Sequence, residues 1–178
     1  MDSINRQQEE ENRKDLSNVE AIEKIKELVD ASKTCFFCTR ASLSGPLATR
    51  PMAVQKVDDE GMLWFLSATD SHKNAEIGVD PTVQLFFQGN DYSEFLTLTG
   101  KAVITTNKAM IKALWEPMLK VWFTEGVDDP RISVIAFTPQ EGYYWDNKNG
   151  NVVAFIKQMA GAAMGKTLDD SIEGNIKI

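Results

Sequence analysis

Between residues 34 and 105 the apolar residues recur with a period of two, and they do so in five separate runs. The runs are TCFFCTRA (34–41), ATRPMAVQKV (48–57), MLWFLSA (62–68), TVQLFFQ (82–88) and FLTLTGKAVIT (95–105). That period sends successive side chains to opposite faces of a strand. In the fourth run Val83, Leu85 and Phe87 alternate with Thr82, Gln84 and Gln88. In the fifth, Leu96, Leu98, Ala102 and Ile104 face one way while Thr97, Thr99 and Lys101 face the other. The third run is apolar on both faces, as a strand enclosed on each side must be. A sixth run lies at 132–139, and residues 142–146 are a candidate seventh. The turns at 43–46 and 57–61 and the loop at 89–94 are short, and Gly61 supplies permissive backbone. Strands joined so closely, with few helices between them, predict a mainly β fold with flanking helices, an antiparallel barrel rather than a doubly wound sheet.

Helical spacing appears at three places outside these runs. Ser17 and Glu20 form a capping-box pattern ahead of Val19, Ile22, Ile25, Leu28 and Val29. Asn107 caps a second helix carrying Met110, Ile111, Leu114 and Trp115, interrupted at Pro117. A third, amphipathic helix spans about 152–164. Residues 1–16 read as a flexible tail, 17–165 as one domain and 166–178 as an irregular tail.

A chain of 178 residues, 43% apolar, has enough material for one core. Its net charge of −7 argues against nucleic acid or an acidic membrane surface as the main partner. No apolar run approaches the ~20 residues of a bilayer span, and the polar N-terminus lacks a signal-peptide core, so a cytoplasmic protein is expected. The pair Cys35 and Cys38 has redox spacing, but on a strand residues three apart point to opposite faces. Buried, inert thiols follow, and no metal site is expected.

Against this acidic background the segment SATDSHKNAEIGVDP (67–81) stands out. Ser67, Thr69 and Ser71 crowd the approach to a short helix whose first residues are His72, the only histidine, and Lys73. The first turn of a helix offers unpaired N–H groups and partial positive charge, a ready site for a phosphate. A cation there is disfavoured unless an anion compensates it. A solvated polar turn is the plain alternative. Two runs earlier, Pro51 forces Arg50 into extended backbone, from which its guanidinium could reach the same phosphate.

The order of GPLATRPM (45–52), GMLWFLSATDSHKNAEI (61–77), DPTVQLFF (80–87) and TLTGKAVI (97–104) resembles the FMN-binding split-barrel proteins. These are the pyridoxamine 5′-phosphate oxidase-like proteins, and the likeness is closest to the general stress protein 26 branch. LWEPMLKVWFTEGVDDP (114–130) and YYWD (143–146) look like that branch too. The resemblance covers roughly residues 18–165. It implies an antiparallel split β-barrel that forms a homodimer with FMN at the subunit interface. Arg50 and Lys73 would hold the phosphate, with His72 beside them and Ser67, Thr69 and Ser71 near the phosphate and ribityl chain. The backbone at Pro51 and Met52 would run along the isoalloxazine edge. Trp122 and Trp145 read either as packing or dimer contacts or, from the partner subunit, as residues against the flavin or over its substrate face. The chain ends in EGNIKI (173–178), without the basic segment by which true pyridoxamine phosphate oxidases grip their substrate. No acid–base or nucleophilic constellation is visible, so any chemistry would belong to the flavin. Two readings follow: an FMN-dependent oxidoreductase of a small molecule, with NAD(P)H as a candidate reductant, or a flavin-binding module without turnover.

Overall fold

A computed structural model describes residues 12–40, 46–89, 93–164 and 170–178 of the chain. Most of the 1–16 tail, the tip of the 43–46 turn, the centre of the 89–94 loop and the start of the 166–178 tail lie outside them. Nine strands form one open, mostly antiparallel sheet. They are β1 (Leu16–Ser17), β2 (Thr34–Arg40), β3 (Leu47–Ala53), β4 (Lys56–Val57), β5 (Leu63–Ala68), β6 (Thr82–Gln88), β7 (Phe95–Thr105), β8 (Ile132–Asn147) and β9 (Ser171–Lys177). The order is β1-β9-β8-β7-β6-β2-β3, with β5 pairing to β8 and β4 to β5. Only β1 and β9 run parallel. Four helices flank the sheet: α1 (Asn18–Ser32), α2 (His72–Val79), α3 (Lys108–Leu114) and α4 (Asn151–Met164).

The period-two runs become strands almost residue for residue, with one division. The 48–57 run breaks at Val54 and Gln55, whose N–H groups bond Lys33 O (3.0 Å) and Trp64 O (2.8 Å) instead of a ladder partner. The sixth and seventh runs are a single strand. β8 pairs along its whole length with β7, through its first half with β5 and through its second half with β9. A register shift at Thr99/Gly100, opposite Pro139, absorbs the residue that cannot donate to the ladder.

Both termini differ from expectation. The end of the chain is not irregular: β9 pairs antiparallel with β8 over Ser171–Lys177. Residues 12–17 are zipped onto its other edge, through Lys14 N–H to Glu173 O and Glu173 N–H to Asn12 O, each 2.9 Å, and Leu16 opposite Ile176. Backbone groups at the outer edge of β9 thus find partners in the opposite terminus. The capping box also fails to form. Ser17 is the N-cap of α1, yet its side chain makes no cap bond, and Glu20 pairs with Lys14 at 3.3 Å. The buried stripe of α1 is Ala21, Ile25, Leu28 and Val29, with Val19 exposed. Asn107 does cap α3, accepting from the N–H groups of Ala109 and Met110.

The core lies in two layers on either side of β5 and β8. The larger packs α1 against the inner faces of β2, β5, β6 and β7, with Phe37 and Phe65 edge to face at 5.2 Å. Burying each such ring contributes ~1.5–3 kcal/mol. The smaller packs Ile111 and Leu114 of α3 and Phe123 against Ile132 and Val134, with Trp64 and Leu66 on its border. β5 therefore is covered on both faces, which is why residues 62–68 carry apolar side chains at every position but Ser67. Cys35 and Cys38 are buried and free. Burial, and the neighbouring Cys38, push the Cys35 thiol up to about 12, so it stays protonated and inert.

Candidate functional site: a cationic cluster where α2 bridges two sheet edges

β3 pairs only with β2, and beyond Trp64 the outer side of β5 has no strand neighbour among the described residues. Two ladders thus end in free edges, and α2 bridges them. On the β5 side, the Ser67 hydroxyl lies 2.9 Å from Asn74 Oδ1 and 3.1 Å from Ser71 Oγ. Asn74 Nδ2 donates to Ser133 Oγ (2.8 Å), which donates to Ser67 O (3.0 Å). Ser67, Asn74 and Ser133 are all buried, so this polar net anchors the start of α2 firmly.

On the β3 side the anchor is ionic. Glu76, one turn into α2, accepts from the buried Thr39 hydroxyl and from both terminal nitrogens of Arg50, each 2.9 Å from the same carboxylate oxygen. Arg50 Nη1 also donates to Thr39 Oγ1 (2.9 Å). Side-chain exposure rises outward, from 14% at Glu76 to 24% at Arg50, so the carboxylate backs the guanidinium and the guanidinium faces out. Burial opposes ionisation of Glu76, but the bonds from Thr39 and Arg50, with the charge of His72, hold its carboxyl below the ordinary value. Lys73 is shifted too. Burial, then the nearby Arg50 charge, lower its pKa, and Glu76 offsets this only in part.

Arg50, His72 and Lys73 thus share one electrostatic environment around Glu76. Two cations lie in the field of the Glu76 carboxylate near the head of α2, with Asp70 lining the adjacent depression. Glu76, Thr39, Asn74 and Ser133 were not singled out from sequence. Glu76 was the legible one: it stands three and four residues after Lys73 and His72, on the same helix face.

The other expected residues divide among neighbouring surfaces. Thr69 and Ser71 line a depression of about 340 Å³ with Asp70, Asn74 and Ile104. Ser71 is the N-cap of α2, but its hydroxyl is directed to Ser67. Ser67 is buried and committed to the polar net. Met52 packs on the main core. Pro51 and Trp145 line one groove of about 430 Å³ on the outer face of the sheet, with Phe36, Phe86 and Phe95. Arg50 and Pro51 point to opposite faces of β3, and because β3 is an edge strand the two faces meet around its free side. Trp122 is 64% exposed. Its carbonyl is 3.5 Å from Arg131 Nη2, and Arg131 O accepts from Thr69 N–H (2.8 Å), so it sits near the Thr69 corner of its own chain.

Fold and corner together describe an open antiparallel sheet with an anion-ready cluster at its unpaired edges. The pyridoxamine 5′-phosphate oxidase-like family matches residues 20–169, and the chain belongs to that family. Among curated proteins it is similar to protein bli-3 of Neurospora crassa, 26% identical over 155 residues, covering 82% of this chain and 74% of that one. Among solved structures, a protein named as a general stress protein 26 from Jannaschia sp. CCS1 shares the fold, with a TM-score of 0.70 and 21% identity. That match covers 88% of this chain and 96% of the other. A general stress FMN/FAD binding protein from Xanthomonas citri aligns with a TM-score of 0.60 and 24% identity, over 70% of this chain and 87% of that chain.

Proposed function

We propose that this protein is a homodimeric split β-barrel that binds FMN at the subunit interface, and that it acts as an FMN-dependent oxidoreductase of a small molecule. The observation that carries the reading is the cluster of Arg50 and Lys73 at the head of α2, between two unpaired sheet edges. A phosphate monoester dianion suits that pair of cations. The free edge of β3 leads from the clamp toward Pro51 and the aromatic groove, which suits a flat ring. The general stress FMN/FAD binding protein of Xanthomonas citri, alike in fold, supports a flavin as the ligand.

In this reading Arg50 and Lys73 grip the phosphate, with His72, Thr69 and Ser71 around it. Ser67 supports α2 from beneath. Pro51 and Met52 border the ring, and Trp122 and Trp145 of the partner subunit cover it. The flavin supplies hydride and electron transfer, with NAD(P)H as reductant; the chain holds, orients and shields it.

The test is a titration of the apo protein with FMN and with riboflavin, which has the ring but no phosphate. Arg50→Ala and Lys73→Ala should each weaken FMN by ~2–3 kcal/mol, or ~30- to 150-fold, and leave riboflavin unchanged. Equal FMN affinity in the variants, or no FMN uptake by the wild type, overturns the assignment. Anaerobic bleaching by NADPH with recovery in air separates the oxidoreductase from a passive flavin carrier.

A further inference from the structure

Most described lysines are either paired or plainly exposed. Lys24 meets Asp146 at 3.1 Å, Lys26 meets Asp59 at 2.8 Å and Lys157 meets Asp170 at 2.7 Å. Lys33, Lys112 and Lys120 stand exposed in solvent. Lys73 belongs to neither group. It is half-buried, yet among the described residues no hydrogen bond or ion pair holds its ammonium. Glu76, three residues on, turns its carboxylate to Arg50 and Thr39 instead. Burial and then the Arg50 charge hold the pKa of Lys73 below the ordinary lysine value, and Glu76 opposes them. The other titratable neighbours along the chain are His72, which is exposed, and Asp70, just ahead of α2. More of this amine is therefore neutral at physiological pH than of an exposed one, and the neutral amine is the form that attacks a carbonyl carbon.

Arg50 provides a place to hold the electrophile. Its guanidinium is fixed from behind by Glu76 and Thr39 and stays partly exposed on its outer side. A guanidinium so fixed takes phosphoryl oxygens through parallel N–H groups. Acyl phosphates join such a phosphate to a reactive carbonyl carbon. Anchored by the phosphate at Arg50, one would present its acyl carbon to the amine beside it, and the reaction would become effectively intramolecular.

We propose that Lys73 is a modification site, acylated by an acyl phosphate held at Arg50. The lone pair of neutral Nζ forms a C–N bond to the acyl carbon. The bond from that carbon to the bridging oxygen breaks, inorganic phosphate leaves with the electron pair, and the proton shed by nitrogen passes to water. The amide product carries no charge, so the clamp loses one of its two cations. The modification needs only the Arg50–Lys73 pair. Its consequence rests on the flavin reading: acylation switches off tight uptake of FMN.

The experiment exposes the flavin-free protein to acetyl phosphate and follows each lysine by peptide mass spectrometry. Lys73 should be acetylated at least ~10-fold faster than Lys33, Lys112 and Lys120, because its electrophile is held in place. Inorganic phosphate should slow Lys73 and leave the other three unchanged. Acetic anhydride carries no phosphate, and its reaction at Lys73 should ignore added phosphate. Arg50→Gln, its folding checked by thermal melt, should bring Lys73 down toward the exposed lysines; should that variant fail to fold, the phosphate competition decides alone. Equal rates at Lys73 and the exposed lysines overturn the proposal, and so does a Lys73 rate that phosphate leaves unaltered. Protein acetylated at Lys73 should bind FMN ~30- to 150-fold more weakly, and an unchanged affinity would refute the switch. Selective, phosphate-sensitive acetylation of a wild type that takes up no FMN would uphold the modification site and sink the flavin reading alone.

Discussion

Replacing Glu76 by glutamine keeps the shape of the α2–β3 contact and removes its charge. Three hydrogen bonds converge on Glu76 Oε2, two from Arg50 and one from Thr39. A hydrogen bond to a charged group contributes ~1.5–3 kcal/mol, and breaking a fully buried ion pair costs ~3–5 kcal/mol. Here Arg50 retains 24% side-chain exposure and can turn toward water, which caps the loss at ~1–2 kcal/mol. With a urea m-value of ~2 kcal/mol/M, the unfolding midpoint at pH 7 should fall by ~0.5–1 M. The pH dependence fixes the cause. The carboxyl of Glu76 lies below its ordinary value of 4.5, so its stabilisation is complete above that value and is lost as pH falls through the folded-state pKa. Urea melts of both proteins from pH 7 to pH 3 should therefore converge at the acid end. Thr39→Val should cost less in the glutamine background than in the wild type, because Thr39 and Arg50 share one oxygen of Glu76 and the two changes are therefore non-additive. A midpoint gap as wide at pH 3 as at pH 7, or strictly additive changes, would refute the argument.

Lys73 gives a prediction of opposite sense. Its pKa is depressed in the free protein by burial and by Arg50, and a bound phosphate would raise it, so binding takes up a proton at alkaline pH. FMN affinity should hold through neutrality and fall as pH rises through the depressed value, and Lys73→Arg should abolish that fall. Gly174→Ala tests the zipped termini: a Cβ there would stand 1.9 Å from Lys14 O, a backbone atom that can yield only by unpairing residues 12–15. The melting temperature should drop by several degrees, with fluorescence of the α1 end of the core unchanged until the main transition.

How much of this was legible in the sequence depends on which force sets each element. Apart from β5, which is covered on both faces, the runs from 34 to 105 were readable because each has one face on the core, and burial fixes a period of two. Pro139 closes the sixth run and Gly142 opens the candidate seventh, yet β8 continues through both. Gly100 permits the bulge opposite Pro139, since a Cβ there would meet Thr138 O at 2.1 Å, and a Cβ at Gly142 would meet Thr97 O at 2.3 Å. These are features of pairing with a distant strand, which local pattern does not carry. β9 hid for a similar reason. Ile172 and Ile176 do alternate, but with polar Ser171, Glu173 and Asn175 between them the segment becomes a strand only through β8 on one side and residues 12–17 on the other. In the site, Arg50 and Lys73 announced themselves as unlike their acidic surroundings. Thr39 did not, because a threonine in a strand is unremarkable until a carboxylate from another element bonds it.

That contrast bears on how a chain of net charge −7 would hold the proposed phosphate dianion. At physiological ionic strength the Debye length is ~8 Å, so the carboxylates spread over the surface are largely screened from a phosphate seated at α2. Near the site the balance is local: Arg50, Lys73 and the helix terminus against Asp70 and against Glu76, itself bound from behind by Arg50 and Thr39. Were Glu76 free to turn outward it would compete with the phosphate. Held by Thr39, it fixes the guanidinium and leaves the outward donors of Arg50 available. In the proposed site the acidic surface would govern only the approach, slowing anion association at low salt, while the affinity would be set by three elements, β2, β3 and α2, that the fold alone brings together.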